Sequence, residues 1–179
     1  MIISVDKLKQ NIECGDMSDA KILSWLKSIE STIRAFTQNN FQNRNIRFRA
    51  ESSSNGCLLG DSPFLRVGDT VQISKSEVND GLYTVVDISE GQTILDREIF
   101  SVPSNIVTKI EYPDDVIQCA VDLIEWKKDY GGKVGIKSES ETLSRHSESV
   151  TYEDSSTLFM GYPTGILKGL SSIHFKARF

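Results

Sequence analysis

The apolar residues of this chain change their spacing twice, and that change limits what the chain can fold into. In "SDAKILSWLKSIESTIRAFTQ", residues 18–38, Ile22, Trp25, Leu26, Ile29, Ile33 and Phe36 recur at steps of three and four. That spacing puts one apolar stripe on a helix, with Lys21, Lys27, Glu30 and Arg34 mainly outside it. Ser18 or Asp16 is placed to accept from the open N–H groups of the first turn, and Asn39-Asn40 to end the helix. From residue 44 the spacing drops to two. "NIRFRAE" sets Ile46, Phe48 and Ala50 on one face and Arg47 and Arg49 on the other, as a half-buried strand does. "GDTVQISKS", "GLYTVVDIS", "QTILD" and "NIVTKIE" repeat the pattern between turn residues, with Asn79-Asp80-Gly81 a reverse-turn signal. At "YPDDVIQCAVDLIEWKKDYGG" the helical spacing returns through Val116, Ile117, Ala120, Val121, Ile124 and Trp126. Pro113, Asp114 and Asp115 suit its positive end, Lys127 and Lys128 its negative end, and Gly131-Gly132 its stop.

The fold expected is therefore α+β: a small helical bundle with an inserted small antiparallel β-barrel. Two long helices and a short C-terminal helix from Pro163 to Ser172 make the bundle. Residues 1–41 and 112–179 would form this core, with an extended arm at 135–157 and a C-terminal tail. Residues 42–111 would form the insertion, since about five short strands suffice to close a barrel. "RVGDTVQI…GLYTVVDI…TILD" looks like an SH3-like barrel. Trp25, Leu26, Ile29, Ile33, Val121 and Ile124 are expected to be buried between the two long helices.

Chemistry is sparse. The chain has 179 residues and a formal net charge of −5, which argues against a dedicated DNA binder, because duplex binding needs several cations on one face. Cys14, Cys57 and Cys119 are odd in number and far apart, and two histidines cannot complete a zinc set with them. No signal peptide is read in "MIISVDKLKQ" and no run of about 18 apolar residues exists, so a soluble, intracellular protein without a membrane partner is expected. No GxSxG, P-loop, GxGxxG or HExxH motif occurs, and His146 lies among polar residues with no nucleophile elbow. Asp114, Asp115 and Asp122 alone would hold magnesium weakly and read as helix-end and solubility charges. No catalytic residue, metal or cofactor is expected, and the chain reads as no enzyme. Arg44, Arg47 and Arg49 form a compact basic cluster, either a solvated strand face or a contact for phosphate or an acidic partner.

Two stretches remain. "GIKSESETLSRHSESVTYED", residues 135–154, is too rich in serine and glutamate to fold alone, and reads either as a plain disordered linker or as an assembly arm that orders by adding main-chain hydrogen bonds to a neighbour; Ile136, Ser138, Glu139, Ser140, Val150 and Tyr152 would carry that subunit contact. The end of the chain, "LKGLSSIHFKARF", is both apolar and basic, and Ile173, Phe175, Lys176, Arg178 and Phe179 read as a docking tail or as packing on its own domain.

In that order, "YPDDVIQCAVDLIEWKKDYGG", "VGIKSESETLSRHSESVTYED" and "GYPTGILKGLSSIHFKARF" resemble the head–tail connector (adaptor, head-completion) family of long-tailed bacteriophages. The 42–111 barrel departs from it, since simpler members have a short connection there. The resemblance implies a structural virion protein, assembled in the host cytoplasm and placed at the head–tail junction. It implies a ring, usually of twelve subunits, between portal protein and stopper or tail-completion protein, with genomic DNA crossing its channel. The tail would then bind the portal. The reading from another class is a monomeric binding module whose barrel recognises a peptide or nucleic acid.

Overall fold

The computed structural model describes residues 1–131, 138–143, 146–151 and 157–176. Among them the chain is mixed α/β, with four helices and a closed six-stranded antiparallel barrel. It divides into two compact units, Met1–Ser4 with Asn40–Pro113, and Val5–Asn39 with Asp114–Phe179.

Unit 1 is the barrel. Its strands are β1 (Gln42–Ser53), β2 (Cys57–Leu59), β3 (Thr70–Ser74), β4 (Gly81–Ser89), β5 (Gln92–Leu95) and β6 (Val102–Ile110). They close in the order β1-β2-β5-β4-β3-β6, with β6 pairing back onto β1. Alternation decides what faces inward: Ala50, Leu58, Val71, Ile73, Tyr83, Val85, Leu95 and Val107 meet inside, and Leu65 and Ile99 fill in from the loops. The turn after β4 is Glu90-Gly91, both residues at positive φ, as a two-residue hairpin requires. Gly56 closes β1 to β2 at φ +73, where a Cβ would lie 2.6 Å from the Arg97 carbonyl oxygen.

Three features correct the sequence reading of this unit. There are six strands, not about five, because β2 is only three residues long and leaves no alternation to see. Asn79-Asp80-Gly81 does not make the left-handed turn; Lys75 and Glu77 take the positive φ values, 59° and 68°. Met1–Ser4 belong with the barrel, not the helices, as the Thr70 hydroxyl donates to the Met1 carbonyl and Ile2 and Ile3 are buried.

Asn79 instead serves as a pin. Its side-chain nitrogen donates to the Phe100 carbonyl at 2.8 Å and its side-chain oxygen accepts from the Phe100 N–H at 2.8 Å. The same nitrogen lies 3.3 Å from both Ser52 Oγ and Asn105 Oδ1, while the Asn105 amide donates to the Ala50 carbonyl. Among the described residues no buried side-chain polar atom lacks a partner. Such a network stabilises only while it is complete.

Unit 2 holds α1 (Val5–Asn11), α2 (Asp19–Thr37), α3 (Asp114–Tyr130) and α4 (Thr164–His174). The first of these went unread in the sequence, and α4 begins after Pro163 rather than at it. Ser18 caps α2, accepting from the Lys21 N–H, and Gln38 closes it at φ 51. α2 touches α1, α3 and α4, and α3 touches α4. Ile22, Leu26, Ile29, Ile33, Val121, Leu123, Ile124 and Leu167 are buried. Trp25 is only half-buried. Lys21 and Lys127 lie over its ring, at 5.2 and 5.3 Å, so the indole is covered by cations in place of apolar groups. The described residues of this unit also hold two strand pairs, β7 (Ser138–Leu143) with β8 (His146–Thr151), and β9 (Leu158–Phe159) with β10 (Tyr162–Pro163).

Two substitutions test this account. Ile29→Ala, at a fully buried position, should cost about 2–5 kcal/mol in urea unfolding. Asn79→Ala should cost about 1–3 kcal/mol or more, because it strands the Phe100 backbone groups and Asn105. A neutral Asn79→Ala would show that the pin contributes nothing.

Candidate functional site

The residues singled out from sequence fall in three places. Arg44, Arg47 and Arg49 all lie on β1 and are exposed. The alternation of β1 turns Arg47 and Arg49 outward, and the register sets them opposite Thr108 and Ile106 of β6. Arg47 is fixed on the barrel wall, donating from Nε to Thr108 Oγ1 at 2.9 Å and from Nη2 to Gln42 Oε1 at 3.2 Å. Arg44 sits where the β1–β6 register shifts between Gln42 and Arg47, an irregularity of the kind that re-aims a side chain. Among the described residues, neither Arg44 nor Arg49 is in an ion pair.

Of the arm, Ser138, Glu139 and Ser140 fall in β7 and Val150 in β8. Ile136 and Tyr152 lie outside the described residues. The two strands pair from Ser138↔Thr151 to Leu143↔His146 and form a sheet of two. No third strand joins it among the described residues.

The tail begins on α4. Ile173 and Phe175 are exposed, at 71% and 49%, and Lys176 is exposed too, while Arg178 and Phe179 lie outside the described residues. The backbone around them is tied to the end of α2. Asn39 Nδ2 donates to the His174 carbonyl at 3.1 Å, and the Lys176 N–H donates to the Thr37 carbonyl at 3.0 Å. The chain thus packs on its own unit here while two apolar side chains stay in water.

Sequence reasoning missed the side-chain partner of His174. Its Nε2 is 2.7 Å from Asp115 Oδ2, linking the last turn of α4 to the first turn of α3. The hydrogen bond from His174 holds the Asp115 carboxyl below its ordinary 3.8. No spacing signal could have shown a pair separated by 59 residues. Beside it, Cys119 is pushed up to about 12, chiefly by burial and then by Asp122 and Asp115, which leaves a protonated and sluggish thiol. Cys14 is buried as well, and Cys57 is half-exposed on β2.

Lys127 holds the remaining polar cluster together. It lies 4.9 Å from the Tyr162 ring centre and donates to the Tyr162 hydroxyl at 2.7 Å, which in turn donates to Ser28 Oγ. These contacts tie Tyr162 to Lys127 of α3 and Ser28 of α2. Among the described residues no group of three or more His, Cys, Asp or Glu could hold a metal ion. No described helix is long and apolar enough to cross a membrane.

No protein-family model matches the chain, and no curated protein matches it. The geometry of the surfaces therefore carries the functional argument.

Two outcomes check this geometry. Asp115 titrates lower folded than unfolded, so its stabilisation is present above pH about 4 and is lost as pH falls through the folded value. Wild-type protein should lose more stability below pH 4 than Asp115→Asn does; equal acid slopes would contradict the link. In native protein, maleimide should modify Cys57 well before Cys14 or Cys119, which mass mapping of the labelled peptides would show.

Proposed function

We propose that the chain is a structural protein of the head–tail junction of a long-tailed bacteriophage, and not an enzyme. It forms a ring, of twelve subunits when assembled, between portal protein and stopper or tail-completion protein, and genomic DNA passes through the channel. In this reading the helices of unit 2 are a small bundle built on two long helices, α2 and α3, with α4 as its short C-terminal helix. The barrel of unit 1 is of the SH3-like kind.

The observation that supports this most is the pairing of β7 with β8 with no third strand among the described residues. A two-stranded hairpin is marginal in water, and this one is built from "SESETL" and "HSESVT", which offer little apolar area to offset the cost of ordering. Its outer edges can add main-chain hydrogen bonds to a neighbouring copy. The exposed Ile173 and Phe175 serve the second contact, docking with Lys176, Arg178 and Phe179 onto the portal. The acidic balance of the chain suits a conduit that does not retain phosphates. A monomeric module that binds peptide or nucleic acid through Arg44 and Arg49 is the competing reading, favoured by their exposure on β1.

Hydrogen exchange discriminates the two. Amides of residues 138–151 should gain at least about tenfold protection when the full chain assembles onto portal-bearing capsids. Equal protection before and after joining would overturn the arm. Truncation after Ser172 should leave a folded protein that no longer joins capsids, and normal joining by it would remove the tail from the account.

A further inference from the structure

Among the exposed apolar side chains of the barrel, Val78 and Phe100 stand on two loops that meet. The loop between β3 and β4, residues 75–80, meets the loop between β5 and β6, residues 96–101, at the end of the barrel where Ser52 pairs with Val102. Asn79 grips both backbone groups of Phe100, yet the Phe100 side chain is 69% exposed. Val78, next to Asn79 in the chain, is 56% exposed. The loop that carries Val78 is held rigidly. The Ser76 N–H donates to Asp80 Oδ1, the Asn79 N–H to Ser76 Oγ, and the Tyr83 hydroxyl to the Asn79 carbonyl. Lys75 and Glu77 adopt left-handed backbone there, a strain that costs stability and is kept only where the surroundings impose it. Two apolar side chains are thus fixed in water on a preorganised mount, which lowers the entropy lost on docking.

The charges around them have a sign. Glu77, Asp80, Asp96 and Glu98 stand exposed against Lys75 and Arg97, and Arg97 is already engaged over the Tyr83 ring at 4.4 Å. The β1 wall of the same barrel carries the opposite sign in Arg44, Arg47 and Arg49. Apolar groups lie among these arginines too: Ile106 is opposite Arg49, and the exposed Leu59 is opposite Glu51. Along β1 the arginines run from Arg44, near the end where Gln42 pairs with Ile110, to Arg49, which comes within three residues of Ser52 at the loop end.

We infer that the Val78–Phe100 loop end of one barrel docks on the arginine wall of β1 in a second copy of this chain. Phe100 then meets the guanidinium of Arg49 and the apolar surface of Ile106, and Glu77 and Glu98 meet Arg44 and Arg49. Loop end against loop end would oppose carboxylates to carboxylates, so a contact of like ends is disfavoured. A loop end on the wall of the next copy can repeat head to tail, and such a contact closes into a ring when the rotation allows. The inference rests on the ring reading above and names the barrel as a subunit contact within it.

Charge reversal tests it on the full chain. One variant carries Glu77→Arg with Glu98→Arg, the other Arg44→Glu with Arg49→Glu, at positions without an ion pair among the described residues. Self-association is read by light scattering coupled to size exclusion, with thermal melting as a check on folding. Each variant alone should associate at least tenfold more weakly than wild type. A one-to-one mixture should recover association, because each reversed patch then meets its complement in alternation. Phe100→Ser should weaken association in the same assay without recovery on mixing. A wild type that stays monomeric, or a mixture no better than its parts, overturns the barrel contact. Unchanged association by both variants, with normal capsid joining, overturns it while leaving the ring reading in place.

Discussion

Closure of β6 onto β1 is the pairing on which unit 1 depends. The strands come from opposite ends of a 74-residue segment, Asn40–Pro113, and their pairing completes the barrel. It also sets the two ends of that segment side by side. Gln42 faces Ile110, the Glu111 N–H donates to the Phe41 carbonyl, and the rings of Phe41 and Tyr112 are 5.1 Å apart. A barrel whose ends meet can sit within a helical chain without pulling its two halves apart. That is why residues 5–39 and 114–179 can belong to one compact unit although the barrel segment separates them in sequence.

Closure also removes the edge strands that an open sheet would present to water. What remains open is decided by side chains. The inner face is apolar, the wall at β1 is basic, and the end at residues 75–80 and 96–101 is acidic and apolar. In unit 2 the sheets of β7 with β8 and of β9 with β10 each have two strands among the described residues, and the β7–β8 pair is the longer. The proposed role in a ring draws on all of these, because a ring subunit must offer complementary and different surfaces to its two neighbours.

Much of the fold could be read from the chain, for a physical reason. The stripe of α2 and the alternation of β1, β3, β4 and β6 are burial patterns, and burial is what those spacings encode. β2 escaped because three residues hold no period, and α1 because only Leu8 of its seven residues is buried. Trp25 was misjudged because spacing reports a face and cannot say that two lysines would cover it. Asn79 was read as a turn former when its amide is a long-range pin, and such use of a polar side chain depends on closure of the barrel. For the candidate surfaces, the arginines of β1 were legible by alternation, whereas the loops of Asn79 and Phe100, and His174 with Asp115, are brought together only by tertiary structure.

The central claim is that this chain is a ring subunit of a portal-bound junction. Electron cryomicroscopy of the full chain mixed with isolated portal rings tests it most directly. The account predicts an added closed ring of twelve copies on the portal, with residues 138–151 of each copy running onto its neighbour. Portal rings left bare, or decorated by isolated copies that do not touch one another, would contradict it.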